Sequence, residues 1–244
     1  MGGLTANALL RAWELALPQA PSQRALTLAR LVEPELPAER LAALPVGQRD
    51  GLLLELRERA FGSQMKGLAT CPACARQLEL SFPVGSIRVP TPINAAGPYT
   101  LTQDGYEVEF RLPNTEDVAC LTPALDPIEN ESRLLGRCLL NARREGEPVP
   151  PVELPTEVKN AISQRMAEAD PQADVRLSLA CPDCDHHWLA TFDILSYLWT
   201  EVQAWATRFL GQIHTLASAY GWREADILAL SPWRRQVYLE MIQR

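Results

Sequence analysis

Two Cys-Pro-x-Cys pairs, Cys71/Cys74 and Cys181/Cys184, constrain the fold of this chain more than any other feature. A shift of 110 residues superimposes the two pairs and also the residues downstream of them: Leu78, Leu80 and Phe82 fall on Trp188, Ala190 and Phe192. Each unit therefore reads as a tight turn carrying two thiols, followed by a half-buried strand of period two. The second unit is also preceded by an alternating strand, Val175, Leu177 and Leu179. A turn of this kind presents two thiolates, with backbone N–H groups close enough to stabilise their charge. Two such turns supply the four sulfur ligands of a tetrahedral zinc ion, and neither pair closes a site alone. The 106 residues between Cys74 and Cys181 far exceed the ~15–20 of a compact zinc ribbon. The intervening segment must then be an insertion whose ends return to one place.

Other uses of the cysteines are two separate buried thiol pairs or a thiol oxidoreductase. A redox pair places its first Cys at a helix N-terminus to lower the thiol pKa, whereas each pair here runs into a strand. Four cysteines would fill the shell of the ion and leave no open position for water, so the expected metal is structural. The residue after the second Cys of such a turn favours a positive φ; here it is Ala75 or Asp185, and Asp accepts that conformation more readily than Ala. His186 and His187, beside Asp183 and Asp185, are expected on the exposed rim. Cys120 and Cys138 are expected in apolar helix faces, and His214 in a plain surface or core role.

The 47% apolar and 22% charged residues are those of a globular protein, and 20 prolines imply many short elements. Residues 5–62 read as helices broken at prolines: one with Leu9, Leu10, Trp13 and Leu17 on a face, a second over Ser22–Val32, and a third over Gly47–Phe61. In the third, Leu53, Leu56 and Ala60 point inward, and Arg49, Glu55, Arg57, Glu58 and Arg59 largely outward. Asp104-Gly105 joins strands Tyr99–Gln103 and Tyr106–Leu112 as a hairpin. Asn114 or Thr115 caps a short helix. Pro127–Arg144 reads as helix, Glu145–Pro155 as a linker, and Thr156–Ala169 as helix. From Ile194, the stripe Leu198, Val202, Trp205, Phe209, Ile213, Leu216 and Tyr220 marks one long helix ending at Gly221. A final helix starts at Ser231-Pro232.

The fold class expected is α+β: mostly helical, with a central zinc-ribbon-like β region and helical arms at both ends. The expected divisions are 1–66 helical, 67–112 first knuckle and hairpin, 113–171 helical insertion, 172–193 second knuckle, and 194–244 helical.

Charge narrows the function classes. With 23 Lys and Arg against 30 Asp and Glu, net −7, the chain is a poor ligand for phosphate backbones. A zinc-ribbon module acting on nucleic acid or the transcription machinery is disfavoured further by Glu79, Asp183, Asp185 and Asp193 around the knuckles. No apolar run is long enough to span a membrane, and Arg11 and Glu14 interrupt the only apolar stretch near the N-terminus, so no signal peptide is expected. A cytoplasmic chain with reduced thiols is therefore expected. No phosphate-binding loop, dinucleotide fingerprint or catalytic constellation occurs, so neither an enzymatic activity nor a small-molecule substrate is expected. The C-terminal aromatics, Trp199, Trp205, Tyr220, Trp222, Trp233 and Tyr238, exceed what a short helical tail buries alone, and interfaces favour such residues.

Five segments form a familiar set: Leu44–Gly62, Phe110–Val118, Asp170–Cys184, Phe192–Ala206 and Leu216–Ile242. In this order, with the two knuckles among them, they resemble the T4-type phage baseplate hub and assembly proteins, including relatives in contractile phage-tail-like injection systems. The tail is the most recognisable part, at Tyr220, Gly221, Trp222, Arg234, Arg235, Tyr238, Leu239 and Glu240. The resemblance implies a non-enzymatic component or assembly factor that binds other baseplate, hub or tail proteins and associates with the assembling particle. It would make Trp222, Trp233 and Tyr238 anchors on a partner, and direct Arg234 and Arg235 at its acidic groups.

Overall fold

The computed structural model describes residues 4–89, 97–122, 124 and 126–242. Four helices open the chain: α1 (Ala6–Ala16), α2 (Pro21–Ala29), α3 (Ala38–Ala42) and α4 (Val46–Phe61). The side chain of Thr5 caps α1, accepting from the Ala8 N–H at 3.1 Å. Proline opens α2, where its missing N–H costs nothing. The short α3 lies in the proline-rich stretch that hides it from a periodicity reading. Leu17 lies past the end of α1 and is exposed; Leu9, Ala12 and Ala16 carry the buried face instead.

The largest departure from expectation in this region is the burial of Arg49 and Arg57, which are 6% and 3% exposed. α4 runs through the centre of the first core, with Leu52, Leu53, Leu54 and Leu56 all buried, so it has little outward face. Arg57 reaches into that environment only because its charge is met. Its Nε and Nη2 donate to Glu201 at 2.9 and 3.0 Å, and its Nη1 to the Gly62 carbonyl.

Strands β1 (Gln64–Thr70) and β2 (Gln77–Pro83) form one antiparallel hairpin, and β7 (Arg176–Ala180) and β8 (His187–Thr191) another. Their registers agree under the 110-residue shift: Thr70 opposes Gln77 as Ala180 opposes His187, and Lys66 opposes Ser81 as Arg176 opposes Thr191. The duplication extends upstream. α4 and α7 (Thr156–Ala169) each follow a Leu-Pro pair, Leu44-Pro45 and Leu154-Pro155, again 110 residues apart. Downstream it reaches Val84 and Ile194, both buried.

Between the copies lies a four-stranded antiparallel sheet in the order β3 (Tyr99–Gln103), β4 (Tyr106–Phe110), β5 (Leu139–Arg144), β6 (Glu147–Pro148). Asp104 and Gly105 take φ of 52° and 79° in the β3–β4 turn, the geometry of a tight hairpin. α5 (Thr115–Ala119) is capped by Asn114 in a reciprocal arrangement with Asp117.

The helix expected to run to Arg144 stops earlier. α6 (Pro127–Cys138) gives way to β5, because Ala142 pairs with Val108 and fills the sheet's buried face. The stretch read as a linker is partly structured: Glu145 and Gly146, at φ 52° and 88°, turn β5 into β6. From α8 (Ile194–Tyr220) the chain continues through α9 (Glu224–Leu228) to α10 (Pro232–Ile242). Gly221 ends α8 in the left-handed conformation, φ 69°.

Three cores result. The first joins α1–α4, Met65 and Val84 to the start of α8. The second lies between the four-stranded sheet, α6 and α7. The third joins the rest of α8 to α9, α10 and Leu10 of α1.

Candidate metal centre

Each Cys-Pro-x-Cys turn is closed by its own backbone. The Cys71 N–H donates to the Arg76 carbonyl at 2.8 Å and the Ala75 N–H to the Cys71 carbonyl at 3.0 Å. The second turn repeats this with Cys181 to His186 at 2.9 Å and Asp185 to Cys181 at 3.0 Å. Ala75 and Asp185 both take positive φ, 60° and 53°. The hairpins then face each other with equivalent parts crossed: Cys71 Sγ lies 3.7 Å from Cys184 Sγ, and Cys74 Sγ 3.6 Å from Cys181 Sγ. All four sulfurs fall within 4.8 Å of one another.

These separations discriminate between chemistries. A disulfide needs ~2.05 Å between sulfurs, and all six cysteines are free thiols. A tetrahedron with metal–sulfur bonds of ~2.3 Å has edges of roughly 3.8 Å. The four cysteines are thus placed to hold one metal ion. Cys71 and Cys181 are buried, and Cys74 and Cys184 sit at the surface. At the far end of the hairpins, by contrast, equivalent residues meet: the rings of Phe82 and Phe192 pack edge to face at 5.9 Å. Arg76 pairs with Asp183 across the two turns at 3.4 Å, but both are half exposed, so the pair adds little.

The thiols differ in acidity because they share one small volume. Burial opposes ionisation of Cys71, but the N–H groups of Cys74 and Ala73 and the facing thiols outweigh it and bring it down to about 7. For Cys184 the His186 N–H favours the thiolate, yet crowding by Cys74, burial, and Cys181 and Cys71 push it up to about 12. Cys74 is also raised, its Arg76 N–H outweighed by the Cys181 thiol, burial and Cys71. One negative charge forms readily, and further ones repel it unless a cation lies between them. His186 and His187 are exposed outside the cluster, and His186 stacks on Trp188. His214 is exposed as well.

The site is held by side chains that sequence periodicity did not single out. The Tyr197 hydroxyl accepts from the Lys66 N–H at 3.1 Å and donates to the Lys66 carbonyl at 2.9 Å, fixing α8 to the outer edge of β1. Asp170 accepts from the Gly47 N–H at 2.8 Å, capping α4 from 123 residues away because Pro45 cannot. Asp117 is fully buried. Burial opposes its charge, but Arg111, the Asn114 N–H and Arg137 hold its carboxyl below the usual range. Cys138 is buried, and its thiol is pushed up to about 11 by that burial. Cys120, in contrast to expectation, is exposed at the end of α5.

The five C-terminal residues separate into two groups. Trp222 and Tyr238 pack edge to face at 4.9 Å, and each contacts Tyr220, so they clamp α10 onto the Gly221 turn. Arg235 does not face outward as expected: it is 8% exposed, donates to Gln212 at 3.2 Å, and lies 4.5 Å over the Phe209 ring. It shares the inner face of α10 with the buried Leu239, one step round from Arg234. Trp233 and Arg234 are exposed, Trp233 at 75%.

Among the described residues, no helix is long and apolar enough to cross a membrane. The family model described as "T4 bacteriophage base plate protein" matches residues 21–199. The matched stretch holds α2 to the first turns of α8 with both knuckles, and stops short of the tail that carries the strongest resemblance. Neither the curated proteins nor the solved structures contain a match. With nearly three quarters of its length matched, the chain belongs to the T4 bacteriophage base plate protein family.

Proposed function

We propose that this chain is a structural or assembly component of the baseplate of a contractile phage tail or phage-tail-like injection system. It binds other baseplate or hub proteins, and a zinc ion held by Cys71, Cys74, Cys181 and Cys184 staples its centre. Membership of the family supports the baseplate role. The observation that carries the zinc is the convergence of four thiols from two copies of one hairpin at tetrahedral spacing. Thiolate sulfur suits zinc among common intracellular metals, and four ligands leave no position for substrate, so the ion serves the fold. Redox chemistry is less well supported: each pair leads into a strand, with no helix N-terminus at the first thiol.

The exposed Trp233 and Arg234 on α10 present a partner surface, since exposed Trp and Arg side chains are the usual anchors of protein interfaces. The test is to tag the C-terminus in the native host, isolate particles and baseplate intermediates, and identify what co-purifies. We expect baseplate proteins and about one zinc per chain. Trp233→Ala with Arg234→Ala should abolish co-purification and leave zinc content unchanged. Absence of the chain from both particles and intermediates would refute the baseplate role, and loss of zinc together with the partners would assign those residues to the fold.

A further inference from the structure

A groove between α1, α2 and α3, enclosing about 440 Å³, has no part in the metal centre. One wall is Ala8, Ala12 and Leu15, spaced four and three residues apart on α1. Leu26 of α2, Leu31 beyond it, and Ala38 and Leu41 of α3 supply the rest of the apolar lining. α1 has already buried two faces: Leu9, Ala12 and Ala16 in the first core and Leu10 in the third. A surface helix usually buries one stripe, yet Leu15 on the remaining face is still 64% exposed.

The charges on the groove are of one sign. Among the described residues, Arg11 and Arg30 are its only charged ones. Both are exposed, and neither makes an ion pair or hydrogen bond through its side chain among the described residues, in a chain whose acidic residues outnumber its basic ones by seven. Pockets for small molecules carry a few convergent polar groups. Here the Thr27 hydroxyl is already donated to Gln19 at 2.7 Å, and Gln23, like the two arginines, is exposed. Small residues at Ala8 and Ala12 leave room for a backbone to approach closely. α1 precedes the matched residues 21–199, so the family match does not account for this wall.

We infer that the groove receives an apolar helical segment of another protein of the baseplate, flanked by Asp or Glu side chains that meet Arg11 and Arg30. The inference rests on the baseplate reading above for the identity of the partner, and on the groove itself for its chemistry.

The test places the photo-crosslinker benzoylphenylalanine at Leu15 of the full chain in its native system, and in a second strain at Trp233. Cells are irradiated during assembly, and the crosslinked peptide is sequenced. The expected product at Leu15 is a segment of another protein with apolar residues three and four apart and acidic neighbours. Arg11→Glu with Arg30→Glu should lower its yield at least about fivefold, with thermal midpoint and zinc content unchanged. A crosslink to a second copy of this chain, to a segment with basic flanks, or to nothing overturns the inference, as does a yield unaffected by the charge reversal. If the chain co-purifies with baseplates but only Trp233 crosslinks, the groove fails and the baseplate role stands. If the expected Leu15 product forms while the chain is absent from particles and intermediates, the groove's chemistry stands and the baseplate role fails.

Discussion

Asp50 lies beside Arg49 on α4, its side chain 14% exposed. Burial pushes its carboxyl up to about 6, against the opposing pull of Arg49. A folded-state value above the unfolded one means the native state holds the proton more tightly, so this group costs stability as it ionises. Below about pH 4 both states are protonated and the effect vanishes. Between about 4 and 6 the native state loses ground, and above 6 the full cost applies, about 3 kcal/mol by the usual conversion of pKa into free energy. Asp50→Asn should therefore gain on the wild type across that window, seen as a widening difference in urea midpoints. A constant difference from pH 4 to 7 would show that Asp50 titrates normally. The sequence marks Arg49 and Arg57 only as charges on a helix. Their burial depends on Asp50, Thr115, Glu201 and Tyr197, which lie elsewhere in the fold or one residue outside the periodic pattern.

Among the elements, those with a strong local signal were legible and those defined by pairing were not. α7 begins and ends where its pattern puts it, α8 runs from Ile194 to the Gly221 cap, and Asp104-Gly105 makes its turn. β1 has no such pattern: its inward residues include Gly67 and Ala69, while Leu68 faces solvent, so its place comes from pairing with β2. β5 has helical propensity and is drawn into the sheet by Val108 and Tyr106. The start of α4 shows the same dependence on distant chain. A Cβ built on Gly47 would lie 2.0 Å from Asp170 Oδ1 and 2.7 Å from the Ala173 nitrogen. Gly47→Ala should destabilise the protein by about 1–3 kcal/mol through overpacking and loss of the Asp170 cap, measured by chemical denaturation. A change within a few tenths would mean that α4 and the segment after α7 separate freely.

At the scale of the whole molecule, four thiols from hairpins separated by 106 residues meet in one cluster. A metal that binds the folded cluster and not the unfolded chain adds its binding free energy to folding. Stripping the purified protein with a strong chelator should lower its thermal midpoint by about 10 °C or more and make Cys71, Cys74, Cys181 and Cys184 reactive to thiol reagents. If all four thiols react before chelation and the midpoint does not move, no metal was held. Cys138 should stay unreactive in both states, because it is buried in the second core and its thiol is held up to about 11.

The amino-acid sequence by itself determined the repeat, the four candidate ligands, the long C-terminal helix and the family resemblance. Each of these is written in short-range spacing: two residues between paired cysteines, period two in a strand, three and four in a helix. Only the tertiary structure decided that equivalent cysteines cross between hairpins, that the duplication reaches back to α4 and α7, and that Arg235 turns inward while Trp233 stays out. The reason is that burial belongs to neighbours in space. Arg234 and Arg235 are chemically alike and adjacent in the chain, and only the position of Phe209 and Gln212 on α8 gives one of them a partner within the fold.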